Sequence, residues 1–277
     1  MRKAILLLLC AFLCFCPLES ALASAETEEQ DTRPLPILMY HSVSPTAKGV
    51  YLISPETLRA DLKELKARGY TNVTLREIKG YLKGLSSLPE KPVLITFDDG
   101  HYDSQYYALD ILREEGFTAV INVIGCFTEY SSTHEKDHPE YSHLTWEEIG
   151  ELARSGVFEI GSHTYRMHAY KPRFGIKKMP GESVEAHRLA LERDLDLLER
   201  SLIEKSGVIP VAFAYPFGAY DKESEAIVTS RYEAVFTCYE RINLLKKGDA
   251  SKLSRLYRIN RDGTKSTVSF LNAHEIT

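Results

Sequence analysis

The sequence predicts a parallel α/β fold of about seven or eight strands in one domain, closed as a barrel in preference to an open sheet. Short apolar runs alternate with amphipathic stretches along the chain. Capping residues open the amphipathic stretches and glycines close them. Chemistry-bearing side chains recur where the apolar runs end, as at the C-terminal strand ends of a parallel barrel. Periodicity by itself leaves the open sheet standing.

Leu35 to Tyr40 reads as the first strand. Ser54-Pro55-Glu56 opens a helix with an N-cap serine and proline at the first helical position, and Leu58, Leu62 and Leu65 share one face before the stop at Gly69. Tyr70 to Val73 is a short strand, and Thr74-Leu75-Arg76-Glu77 is a capping box. Val93 to Phe97 is continuously apolar, as expected of a strand covered on both faces. Asp103 to Glu115 is helical up to Gly116, and Phe117 to Ile124 is strand. Gly125 to Leu144 is the longest irregular piece, holding His134, His138 and His143. Without paired spacing these histidines read as solvated loop residues, against the alternatives of a substrate-facing loop or a second metal site. Thr145-Trp146-Glu147-Glu148 is another capping box, and its helix stops at Gly156. Val157 to Ile160 is strand, Glu182 to Lys205 a long helix, and Val211 to Tyr215 strand. Lys222 to Arg231 is helix, Ala234 to Thr237 strand, and Leu256 to Ile259 the last strand.

Residues 1–25 read as a secretory signal peptide: a basic start, Met1-Arg2-Lys3, an apolar run from Ala4 to Cys16, then small residues up to Ala25. An uncleaved anchor is the alternative, although the run is shorter than the roughly 20 residues of a span. Residues 26–34 read as an acidic linker and 35–277 as the catalytic domain. The expected location is therefore outside the cell or in its envelope. Only Cys126 and Cys238 lie beyond the leader, so the fold stands on its core and not on a disulfide framework. The formal charge is −5, and −6 without Arg2, Lys3 and Glu19. That balance argues against nucleic acid or an anionic membrane as the main partner and suits a neutral sugar polymer. No stable protein partner is implied.

The chemistry sits in two segments: Thr96-Phe97-Asp98-Asp99-Gly100, and His163-Thr164-Tyr165-Arg166-Met167-His168. Each follows a strand. One carboxylate and two imidazoles can hold a metal, and the spare carboxylate can take a proton from water. Neighbouring residues at a strand end point to different sides, so the two acids can divide those tasks.

Thr96-Phe97-Asp98-Asp99-Gly100 with Ser162-His163-Thr164 downstream resembles the polysaccharide deacetylases of the NodB-homology type, carbohydrate esterase family 4. The resemblance runs from about Leu35 to Ile259. The family's second motif usually has its histidines four apart. The five-residue spacing here, with Met39-Tyr40-His41 and Phe213-Ala214-Tyr215-Pro216-Phe217-Gly218, is similar to the branch containing poly-N-acetylglucosamine deacetylases. The resemblance implies a distorted (β/α)7 barrel and one divalent metal, zinc first, with cobalt, nickel or iron compatible. It implies Asp99, His163 and His168 as metal ligands and Asp98 as general base. Tyr215, Pro216 and Phe217 would wall a groove suited to sugar rings, with a backbone N–H near Phe217 facing the oxyanion.

Two family features are absent. The position of the usual base-orienting arginine is Ala214, and Arg258 or Arg261 is the candidate replacement, Arg258 also as a substrate-binding residue. No leucine–X–histidine motif supplies the catalytic acid: His274 is wrongly spaced, which leaves His41. The expected function is a secreted metal-dependent deacetylase that releases acetate from N-acetylglucosamine-containing glycans. A glycan-binding protein on the same fold and an O-acetyl esterase are the rivals.

Overall fold

The computed structural model describes residues 31–46, 49–134 and 139–277. The expected signal peptide, the first part of the linker and His138 lie outside these residues.

Among the described residues the main sheet has eight strands, and seven form its continuous path: β1 (Ile37–Tyr40), β2 (Pro92–Phe97), β3 (Ala119–Val123), β4 (Phe158–Ser162), β5 (Phe213–Ala214), β6 (Val235–Phe236) and β7 (Ile259–Asn260). The eighth, Thr71–Asn72, pairs parallel with the start of β2. The seven pair in the order β6-β5-β4-β3-β2-β1-β7, parallel throughout. Leu256 bridges Phe236 while Ile259 pairs with Leu38, so the last segment passes both edges of the curled sheet. The expected α/β barrel of distorted (β/α)7 type is thus present as a curled parallel sheet. The register sets Tyr40 beside Phe97, Phe97 beside Ile121, and Ser162 beside both Val123 and Phe213. The ends of five strands are thereby level.

The connecting helices are α1 (Pro55–Ala67), α2 (Leu75–Leu82), α3 (Leu109–Glu115), α4 (Gly125–Thr133), α5 (Trp146–Arg154), α6 (Val184–Ser201), α7 (Lys222–Arg231) and α8 (Thr267–Ala273). Ser54 caps α1, and full capping boxes start α2 at Thr74 and α5 at Thr145. A π-turn, Ser104–Ala108, leads into α3. The stretch expected to be irregular, Gly125 to Leu144, instead begins with α4. Its serines and threonines and its weak apolar stripe hid it, since neither amphipathic period nor cap marks its start. The expected linker also ends early: Thr32–Leu35 is a strand paired antiparallel with Asn243–Lys246.

Period two along the strands divides the core. Leu38, Ile95, Phe97 and Ile121 face the helices, packing with Leu58, Ile111 and Ile149. Ile37, Leu94, Val120, Ala214 and Phe236 face the other way and are closed from below by Leu75, Ile78 and Tyr81 of α2. Leu94, Thr96 and Asp98 therefore share the inner side of β2, and Asp98 emerges at its C-terminal end.

Candidate active site

β2 ends in a sharp change of direction. Asp99 has φ 72° and Gly100 φ 70°, two successive left-handed residues. Gly100 fits because a Cβ there would come 3.0 Å from Val123. Asp99 carries the conformation at a cost of about 1–3 kcal/mol, which a fold maintains where the side chain's aim matters. The turn points Asp98 into the barrel and Asp99 across its mouth. Thr164, after His163, has φ 72° and is β-branched, so the second motif holds a comparable strained turn.

Asp98 is buried, and Arg258 grips it with two parallel bonds of 2.7 Å, Nη1 to Oδ1 and Nη2 to Oδ2. Asn122 Nδ2 donates a third at 2.8 Å. Asn122 has room because Gly161, alongside on β4, lacks a side chain: a Cβ there would collide with its Oδ1. Burial pushes the Asp98 carboxyl up, but the Arg258 and His163 charges outweigh it and hold the group well below the usual carboxylate range. Asp98 thus stays ionised and fixed at the cavity wall.

Asp99 Oδ1 lies 3.3 Å from His168 Nε2 and 3.6 Å from His163 Nε2. It is buried and accepts no hydrogen bond among the described residues. His163 Nδ1–H donates to the Ala214 carbonyl at 2.8 Å, which leaves Nε2 as the free lone pair facing Asp99. One donor atom from each of Asp99, His163 and His168 lies within 4.8 Å of the others. One oxygen and two imidazole nitrogens, convergent and without competing hydrogens, fit a divalent transition metal. Burial, with repulsion from His163, lowers the His168 pKa to about 4 and keeps its ring neutral, as a ligand requires.

The two acids and two histidines open into a cavity of about 750 Å³, also lined by His41, Tyr51, His101, Tyr170, Phe174, Phe217, Cys238 and Glu240. His41 stands at the end of β1 with its ring edge on Tyr51 at 4.8 Å, and its Nδ1 is buried without a hydrogen-bond partner among the described residues. Burial lowers its pKa, and the Asp98 and Asp99 charges pull the other way. Phe217 packs against His168 at 4.2 Å, the two rings tilted by 40°.

Three expectations need correction. Tyr215 and Pro216 are buried below the cavity and do not wall it; the Tyr215 ring packs against Phe213 and Tyr220. Arg258 is wholly buried and cannot touch a substrate; it orients Asp98 from the start of β7, where the parallel return brings it across the barrel mouth. Arg261 serves a separate buried pair with Asp61. His101, which the sequence does not single out, also faces the site. Its Nε2 lies 3.5 Å from Asp99 Oδ2, the oxygen turned away from His163 and His168. His143 is no solvated loop residue: it packs 4.8 Å from His101 and 4.6 Å from Phe127, and burial lowers its pKa to about 3. Its only sequence signal was the apolar Leu144 beside it.

The family described as polysaccharide deacetylase matches residues 86–232, more than half of the chain and both motifs. The chain belongs to the polysaccharide deacetylase family. It is similar to YxkH of Bacillus subtilis (strain 168), itself a polysaccharide deacetylase by name, at 27% identity over 86% of this chain and 74% of that one. It is 30% identical to the poly-beta-1,6-N-acetyl-D-glucosamine N-deacetylase of Escherichia coli (strain K12) over 47% of this chain, a match that spans 20% of that enzyme. Among solved structures it resembles IcaB from Ammonifex degensii, with TM-score 0.67 and 28% identity over 82% of this chain and 91% of that one. The Streptococcus pyogenes deacetylase PplD, solved with acetate, has TM-score 0.66 and 25% identity over 86% and 97% of the two chains. This polysaccharide deacetylase is accordingly a hydrolase of carbohydrate esterase family 4.

Proposed function

We propose that this polysaccharide deacetylase is an exported, metal-dependent enzyme that removes the N-acetyl group from N-acetylglucosamine polymers, releasing acetate and leaving a free amine. The observation that carries the reading is the split of adjacent acids: Asp98 locked by Arg258 and Asn122, Asp99 turned to His163 and His168. The similarity to a poly-N-acetylglucosamine deacetylase supports the substrate class, and the leader-like residues 1–25 support export.

Asp99, His163 and His168 would hold the metal, zinc first. When bound, a divalent cation there polarises the amide carbonyl and acidifies water. The protein's own residues do the rest. Asp98 accepts the proton of the attacking water as its oxygen bonds to the acetyl carbon. Arg258 and Asn122 keep that carboxylate aimed while it gains the proton. A backbone N–H near Phe217 faces the developing oxyanion. His41 delivers a proton to the nitrogen as the C–N bond breaks, so the products are acetate and an amine. Burial outweighs the pull of the two acids and lowers the His41 pKa, so the ring must first take up the proton that it delivers.

The glycan-binding rival rests on two absences, the base-orienting arginine and the leucine–X–histidine acid motif, and Arg258 bears on the first. Arg258 supports the enzyme reading, because a protein that only binds sugar has no need of a forked arginine on a buried carboxylate. Acetate release from the zinc-loaded protein on N-acetylated and O-acetylated glycans tests the reading. Release from the N-acetylglucosamine polymer is expected. Release from O-acetylated chains alone would make the protein an esterase.

A further inference from the structure

We propose that Tyr170 and Phe174, together with Phe217, form a subsite that binds the sugar ring next to the one being deacetylated. The idea rests on the glycan reading above and names how the chain beyond the reacting sugar is held.

Tyr170 and Phe174 belong to the turn after His168, between the second motif and α6. Their rings lie 4.3 and 5.5 Å from that of Phe217, all three planes within 26° of one another. Phe217 in turn packs, tilted by 40°, against His168. A continuous aromatic shelf therefore runs from the catalytic mouth outward. It ends in solvent: Tyr170 is 70% and Phe174 42% exposed. Lys177 Nζ sits 5.8 Å from the Phe174 ring.

The shelf is built, not loose. Gly175 N–H donates to Ala169 O at 3.0 Å and closes the turn. Arg173 forks onto Glu182 at 2.6 and 2.8 Å and also donates to Lys177 O. Gly175, at φ +56°, lets the turn approach the segment carrying Phe217, since a Cβ would come 2.9 Å from Pro216 O. Rings fixed before binding lose little entropy when a ligand arrives. Phe217 lies within the stack and backs it, while the outer rings Tyr170 and Phe174 present apolar surface to solvent, to which the C–H face of a pyranose is complementary. Among the described residues, the charged lining of the cavity is Asp98, Asp99, Glu140 and Glu240 beside the histidines, with Lys177 at the outer end over Phe174. It favours a neutral or partly deacetylated, cationic chain over an anionic one.

The test compares the zinc-loaded wild type with Tyr170→Ala/Phe174→Ala and the conservative Tyr170→Phe. Substrates are N-acetylglucosamine oligomers and a small acetyl ester. The double variant should raise KM for oligomers roughly tenfold with kcat little changed, leave ester turnover and zinc affinity as in the wild type, and Tyr170→Phe should behave as wild type. Calorimetry of oligomer binding to Asp98→Asn, with and without the two alanines, reads the subsite without turnover. Equal oligomer affinity in the two backgrounds overturns the subsite, whatever the chemistry. Absence of acetate release by the wild type overturns the deacetylase reading, while weaker binding by the alanine variant would still uphold the subsite. Loss of anionic vesicle binding with oligomer affinity intact would also overturn it, assigning the rings to a membrane surface.

Discussion

Asp98 and Asp99 are adjacent in sequence and opposite in surroundings. Arg258 and Asn122 saturate one, whereas the other presents a bare oxygen to two imidazoles. His101 steadies the far oxygen of Asp99 and so favours one-oxygen ligation. His101→Phe should weaken zinc binding by roughly 10–100-fold in a chelator competition while leaving Asp98 untouched. Arg258→Met should both disable Asp98 and strand its charge, lowering stability by about 3–5 kcal/mol in urea unfolding. The motif residues were legible because acid and histidine pairs at strand ends have few other uses. Arg258 was legible only as a candidate, since its reach across the barrel depends on the pairing of β7 with β1. His101 was not legible: one histidine after a glycine carries no spacing signal. Tyr215 and Phe217 could not be told apart by sequence either, because the backbone reversal at Phe217, φ 56°, decides which ring faces the cavity.

At the scale of elements, one buried network ties distant parts of the barrel. Arg261, after β7, bonds both oxygens of Asp61 on α1, at 2.7 and 3.1 Å, while Tyr40 of β1 and Thr267 of α8 donate to the same carboxylate. Arg261→Met should destabilise by about 3–5 kcal/mol because it leaves a buried charge unpaired. Asp61→Leu with Arg261→Met should recover most of that loss, as measured by denaturant midpoints. The capping box of α5 contributes less, and Thr145→Ala should cost about 1 kcal/mol. Such helix starts were readable from local chemistry at Ser54, Thr74 and Thr145. The strands were readable as apolar runs but not in length: β5 and β6 shrink to two residues each, because the curling sheet pairs them only briefly.

The whole molecule gathers many ionisable rings at the barrel mouth, and its metal-free form should be acid-sensitive. Burial lowers His143 to about 3 and His168 to about 4. Both therefore stay neutral in the fold where an unfolded histidine, near 6.5, gains a proton. Their contribution is full above about pH 6.5 and is lost as pH falls toward those values. Asp103 works the other way, raised by burial to about 6, and offsets part of the loss between its ordinary 3.8 and that value. Metal-free protein should thus show a falling Tm from pH 7 to 5, and His143→Phe should make the fall shallower; an unchanged Tm would contradict this. Closure of the sheet was the global property that sequence left open, because it depends on Leu256 and Ile259 meeting opposite edges. The division of labour between the two acids is the centre of the account. Zinc content and acetate release, measured together on purified wild type, Asp98→Asn and Asp99→Ala, test it most directly. Asp98→Asn should retain zinc and lose roughly 10²–10⁴-fold in rate, and Asp99→Ala should lose both. Wild-type turnover by Asp98→Asn, or full zinc content in Asp99→Ala, would contradict it.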